Sequence, residues 1–438
     1  MSDPLNHPHV VMLSTTSLTP NPDNARIHDD KQIEQLGANI KRFGFLVPLV
    51  VDADNVILAG NGRFAAAKKL GLPEVPCIRA EFLTGADRRA FALADNKLSD
   101  LSTWNEDLLQ AELESLFEGG FDIEMIGFST ADLDFTIVEE KEAKPAKAER
   151  VDLPDPAAQA VSQVGDLWLI GPHRLYCGDS REVASWEALL GDDRATLVFA
   201  DSPYNVPING HVSSTNTHRE FCVGTGEMSP PEFTAFQRQI MRNCARFSHG
   251  GSIHYQCMDF RHLRELLDAA DGVYEEFKQL IVWAKNNGGM GSFYRSRHEL
   301  IFVFKSGKGK HINNFGLGET GRYRTNVVEY AGANTFRKGR KEDLEAHSTV
   351  KPTALVADFL LDCSNRGDLV VDPFIGSGTT LIAAHRTKRR GAGIELDPLY
   401  VDTALRRLAT VTGLTPVLAG DGRTFDEIAA LRLAQGED

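Results

Sequence analysis

The chain has 438 residues, with 47 Lys and Arg against 61 Asp and Glu and a formal net charge of −14. That length allows two domains with full cores, and so acidic a balance excludes indiscriminate coating of nucleic acid while leaving room for a local basic cleft. Six cysteines without a Cys-x-x-Cys pair signal neither a zinc site nor a disulfide framework, and there is no basic-then-apolar leader or membrane-length apolar run; no metal, no membrane and a reducing cytoplasm are expected.

Leu18-Thr-Pro-Asn-Pro22 is a turn-rich entry, after which Ile33, Leu36, Ile40 and Phe43 share one face of a helix predicted over 31–43. Gly44 to Val51 reads as a strand pair in outline and Asp52 to Asn55 as a turn. Ile57 to Arg63 then leads through a glycine turn into a helix that ends at Gly71. The stretch Gly44–Val51 and the turn Gly60-Asn-Gly-Arg63 resemble the N-terminal nucleotide-binding domain of ParB-type partition proteins, over most of residues 10–100. The resemblance implies a smaller α+β domain over 1–138 in which Gly60, Gly62 and Arg63 hold a nucleotide. Phe64 stands where that family usually has a second arginine, and the cysteine of the related sulfiredoxin fold is missing from the turn. No helix-turn-helix is evident next; 107–117 reads as one amphipathic helix carrying Leu108, Leu109, Leu113 and Leu116. Residues 139–160, rich in Glu, Lys, Ala and Pro, read as a solvated linker.

In the remainder, 161–438, Thr196-Leu-Val-Phe-Ala200 is an apolar, β-favouring run followed directly by Asp201-Ser-Pro-Tyr204. The exocyclic amine of adenine or cytosine is a poor nucleophile because its lone pair is delocalised into the ring. A carboxylate (Asp201) and a carbonyl held by a rigid backbone (Ser202, Pro203) can accept its hydrogens and orient it, and Tyr204 offers a face for an extruded base. Further on, the basic residues between Lys285 and Lys341, Arg322, Arg324, Arg337, Lys338 and Arg340 among them, heavily outnumber Glu299, Glu319 and Glu329. That stretch suits phosphate contacts with double-stranded DNA.

Leu369–Val371 reads as a buried strand, Asp372-Pro-Phe-Ile-Gly376-Ser-Gly378 as a tight turn, Thr379 onward as a helix, and Ala392–Leu396 as a second strand carrying Glu395. An acid about 20 residues after a glycine turn is placed to hold ribose hydroxyls. No Gly-Lys-Ser/Thr follows, which argues against a P-loop, and a third pyrophosphate-binding glycine is absent.

Together these segments resemble S-adenosylmethionine-dependent DNA amino-methyltransferases, whose tetrapeptide is Asp/Asn/Ser-Pro-Pro-Tyr; here Ser202 replaces the first proline. The resemblance implies that Asp372, Phe374, Gly376 and Gly378 contact S-adenosyl-L-methionine, that Glu395 holds its ribose and that Asp179 of Gly178-Asp179-Ser180 meets its adenine. In His347-Ser-Thr-Val-Lys351-Pro, His347 and Lys351 would close over its methionine end. The order, tetrapeptide first and donor loop last, is the circularly permuted β arrangement. It implies a Rossmann-like, doubly wound α/β sheet, a target-recognition region near 306–345 and a homodimer. Aspartate at the first position leans toward adenine N6 as the methylated atom. Cytosine N4, and a DNA-binding module with vestigial catalysis, are the alternatives.

Overall fold

The computed structural model describes residues 9–99, 101–102, 104–128, 159–206, 224, 226–285, 288, 293–315, 324–330 and 351–434. The chain divides into two compact units, Met1–Leu133 and Asp134–Asp438.

In the first unit, strands β1 (Val10–Ser14), β2 (Leu49–Val51), β3 (Ile57–Ala59) and β4 (Glu74–Arg79) form a sheet of order β1-β4-β2-β3. The expected helix spans Asp30–Phe43, capped by the Asp29 side chain on the Gln32 amide. Gly44–Val51 yields one strand rather than two, and β2 finds its hairpin partner in β3 instead. The helix Asn61–Lys69 starts directly on Gly60. Phe64 is buried with Leu49, Val51 and Ile57, so the position where an arginine was expected is a core position. The helix Glu106–Glu118 buries Leu113 against Ile123, while Leu108 stands exposed.

The second unit holds strands β5 (Leu167–Ile170), β6 (His173–Cys177), β7 (Ala195–Ala200), β8 (Ser248–Met258), β9 (Glu276–Ala284), β10 (His298–Ser306), β11 (Val327–Glu329), β12 (Leu369–Asp372), β13 (Arg390–Glu395) and β14 (Val417–Leu418). Their order is β11-β9-β10-β8-β7-β12-β13-β6-β5-β14. The five central strands, β8-β7-β12-β13-β6, are parallel to one another, as the unbroken apolar runs at 196–200 and 369–371 require of strands buried on both faces. Alternation along them serves two cores: Val198 and Val371 face Trp186, Phe233, Ile240 and Leu266, whereas Leu197, Phe199 and Val370 face Leu355, Val356, Phe359 and Leu360. Helix Pro230–Arg246 carries the chain from β7 outward to β8, and helix Thr379–Arg386 carries it from β12 the other way to β13. The winding therefore reverses between β7 and β12, and the crevice outside their carboxyl ends is where a doubly wound sheet takes its ligand.

Candidate active site

Four strand ends deliver candidate residues to one edge of the sheet: β6 leads into Asp179, β7 into Asp201, β12 ends on Asp372 and β13 on Glu395. The Gly178 amide donates to the Glu395 carbonyl at 2.8 Å, which fixes the Asp179 turn beside β13. Asp179 is clamped by its own neighbour, with Arg181 Nε 2.9 and 3.0 Å from its two oxygens.

The glycine turn is held from below. Asp372 accepts from the Phe374 amide (2.9 Å) and the Thr380 hydroxyl (2.6 Å), and Arg407 donates to the Ser377 carbonyl (3.1 Å) and Thr379 Oγ1 (3.0 Å). Gly376 and Gly378 have φ of 51° and 86°, the left-handed region that L side chains enter at a cost. A Cβ on Gly378 would lie 3.1 Å from Ala404 Cβ, whereas one on Gly376 would meet, among the described residues, nothing nearer than the Phe374 carbonyl at 4.0 Å. The outer side of the turn at Gly376 is therefore an open cradle. Glu395 closes it: Oε2 accepts from the Gly376 amide and Oε1 from the Asp397 amide, both at 2.9 Å. Burial pushes the Asp372 carboxyl up to about 7, with Asp201 and Glu395 adding to the rise and its two hydrogen bonds opposing it. Burial likewise pushes Glu395 up to about 7, with Asp397 assisting.

In the tetrapeptide, Tyr204 Oη donates to Asp201 Oδ1 at 2.7 Å. Ser202, where the related pattern has proline, is buried and takes a 3.0 Å hydrogen bond from Gln237 Nε2, so a side-chain tether restrains the backbone that a second ring would otherwise stiffen. Pro203 packs so closely on Gly224 that a Cβ there would sit 2.6 Å from its ring. The next residue, Asn205, adopts φ 54° and pins the following segment, accepting from the Gly226 and Met228 amides and donating to the Met228 carbonyl at 2.8 Å.

Around Asp201 stands a charge network that sequence reasoning did not identify. Lys351 Nζ lies 2.7 Å from Asp201 Oδ2, 3.0 Å from Glu299 Oε2 and 3.1 Å from Tyr204 Oη; Lys285 pairs with the other oxygen of Glu299. Burial alone would raise the Glu299 carboxyl, but Lys351 and Lys285 outweigh it and hold it down to about 2. Burial, reinforced by the Asp201 and Glu299 anions, pushes the Tyr204 hydroxyl well up. Glu299 is the second residue of β10, opposite Trp283 on β9, and in the sequence it is merely a minority charge in a basic stretch; only the antiparallel register brings it to the ends of β7 and β8.

Lys351, expected at the methyl donor, pairs with the tetrapeptide carboxylate, 2.7 Å from Asp201 Oδ2. One expectation needs correcting. Arg324, expected on DNA, is a buried clasp: its Nη1 lies 2.8 Å from Asp358 Oδ2 and its Nε 2.9 Å from Asp362 Oδ2, both on the helix Thr353–Cys363. Two inward carboxylates on that helix out-compete solvent phosphates for its guanidinium. Arg322, Arg337, Lys338, Arg340 and His347 lie outside the described residues, as does most of 139–160. In the first unit, Arg63 folds back over Gly60, where an added Cβ would sit 2.8 Å from its Nη2, and burial lowers its pKa against the pull of Asp95.

The DNA methylase model of the N6/N4 class matches residues 195–406, a ParB N-terminal domain model matches 1–97, and a ParB-methyltransferase helix-turn-helix model matches 107–164. The chain carries an N6/N4 DNA methylase domain over 195–406 and, ahead of it, a ParB N-terminal domain over 1–97. The amphipathic helix read at 107–117 is present as Glu106–Glu118; what the match corrects is the reading that no helix-turn-helix follows the first domain. Among curated relatives, the Type II methyltransferase M.HpaI of Haemophilus parainfluenzae is 27% identical over 50% of this chain and 69% of its own length. M.HinfI of Haemophilus influenzae is 26% identical over 51% of this chain and 65% of its own. Among solved structures, the M1.HpyAVI–SAM complex is 20% identical, with a TM-score of 0.39, covering 53% of this chain and 98% of that one.

Proposed function

We propose that the chain is a site-specific DNA methyltransferase that uses S-adenosyl-L-methionine to methylate adenine N6 in double-stranded DNA. The observation that carries this reading is the placement of Asp201 and the Gly376 turn on adjacent strand ends, β7 and β12, where the sheet's winding reverses. The residues fit the donor: the open cradle at Gly376 admits a nucleoside, and Glu395 supplies acceptors for ribose hydroxyls. Phe374, whose ring lies 6.3 Å from that of Phe236, offers an apolar wall, and Asp179 stands at the next strand end for the adenine amine. When bound, S-adenosyl-L-methionine supplies an electrophilic methyl group.

The chain's own part is orientation. Asp201 accepts an amine hydrogen of the extruded base, drawing its lone pair out of conjugation, while the Tyr204 ring stacks on the base. Aspartate rather than serine at position 201 favours adenine. Arg337, Lys338 and Arg340 are assigned to phosphate contacts that position the duplex. The test is incubation with unmethylated genomic DNA and donor, digestion, and mass spectrometry of nucleosides, with Asp201→Ala as control. N6-methyladenine from wild type alone is expected. N4-methylcytosine would move the target base, and no modified nucleoside at all would sink the reading.

A further inference from the structure

Lys351 stands in the position that the reading above gives to the target base. Its ammonium donates to the carboxylate that should accept the base's amine, at 2.7 Å, and lies 5.5 Å from the centroid of the Tyr204 ring on which the base should stack. The Trp283 ring, 5.9 Å away, bounds it on another side. An ammonium and an exocyclic amine present the same N–H donors, so they compete for one seat.

We propose that Lys351 is a displaceable plug: it fills the amine's place in the resting enzyme, and Glu299 receives it when the base enters. The inference rests on the amino-methyl transfer proposed above. Glu299 is already 3.0 Å from Lys351, so release from Asp201 leaves the buried ammonium paired. Without that second carboxylate, displacement would strand an uncompensated charge at a buried position, a severe penalty. Lys285, held on the far oxygen of Glu299, keeps the receiving carboxylate fixed. The same contact keeps the Asp201 carboxylate paired until its substrate arrives. Lys351 and Glu299 are thus positioning residues, acting on the base through Asp201.

The decisive variants are Glu299→Gln and the double variant Glu299→Gln/Lys351→Met, assayed for methyl incorporation into unmethylated genomic DNA with KM and kcat read separately, and for donor affinity by calorimetry. Glu299→Gln leaves Lys351 with Asp201 as its remaining anion among the described residues, so the plug is harder to displace; KM for DNA should rise about tenfold with donor affinity unchanged. Loss of the negative charge alone would act oppositely, drawing DNA closer. Removing the plug in the double variant should lower KM again by severalfold. Wild-type-like kinetics in Glu299→Gln, or a double variant no better than Glu299→Gln or inactive, would overturn the proposal. Failure of the functional reading shows separately, as a wild-type chain that methylates nothing.

Discussion

Alanine at Gly378 and alanine at Gly376 separate what holds the glycine turn from what it offers a ligand. At Gly378 the backbone conformation itself costs an L residue about 1–2 kcal/mol. The new Cβ would also press on Ala404 Cβ at 3.1 Å and Cα at 3.3 Å. Ala404 is fully buried on the helix Pro398–Thr412, among Leu405, Leu408 and Val401, so it has little room to yield, and overpacking of this kind adds about 1–3 kcal/mol. The sum, about 2–5 kcal/mol, corresponds to a loss of about 4–10 °C in melting temperature for a unit of this size. At Gly376 the nearest atom among the described residues is 4.0 Å away; the conformational term of about 1–2 kcal/mol remains, so the loss is about 2–4 °C. Its methyl group, however, would project into the cradle, and donor affinity should fall tenfold or more. Scanning calorimetry and donor titration of both variants check this. A Gly378→Ala protein that melts like wild type would refute the packing argument; a Gly376→Ala protein with normal donor affinity would refute the cradle.

Four further outcomes are expected. Tyr204→Ala should lower kcat/KM by the stacking contribution of about 1–3 kcal/mol, roughly 5- to 150-fold, while Tyr204→Phe, which keeps the ring and loses the bond to Asp201, stays within about tenfold. Arg324→Met should destabilise the methylase unit by about 3–5 kcal/mol in urea unfolding, because Asp358 and Asp362 lose their buried counter-charge, and should leave the salt dependence of DNA binding unchanged. Arg337→Gln and Arg340→Gln should each reduce the slope of log affinity against log salt by about one. Glu395, with its carboxyl raised to about 7, is more easily buried as the acid; that advantage is complete below the unfolded value near 4 and lost as pH rises through about 7. Donor-free wild type should therefore lose stability relative to Glu395→Gln between pH 5 and pH 8, as followed by melting temperature.

The elements that recur locally were readable from the residues alone. The apolar runs at 196–200 and 369–371 announce buried parallel strands, and Gly376 and Gly378 announce the turn, because each depends on neighbours in sequence. Glu299 and Lys285 were not readable, since their meaning arises from the pairing of β9 with β10 and from Lys351 arriving out of a distant segment. Arg324 misled for the same reason: charge composition near 285–341 says nothing about Asp358 and Asp362 waiting on a later helix. Phe64 shows the reverse, a departure from the partition-protein pattern whose cause is ordinary packing against Leu49 and Ile57.

The Arg324 clasp bears on which parts of the sheet's margin tolerate exchange. Strand β11 is held at the sheet's margin by pairing with β9, by Trp283 Nε1 donating to the Tyr330 carbonyl at 3.0 Å, and by the Arg324 and Tyr330 side chains gripping Asp358. Residues 324–330 thus form a fixed post, anchored to the same helix that follows Lys351. A chimera whose junction cuts through 324–330 should therefore lose stability, read as a lower melting temperature, even where every residue around Asp201 is kept.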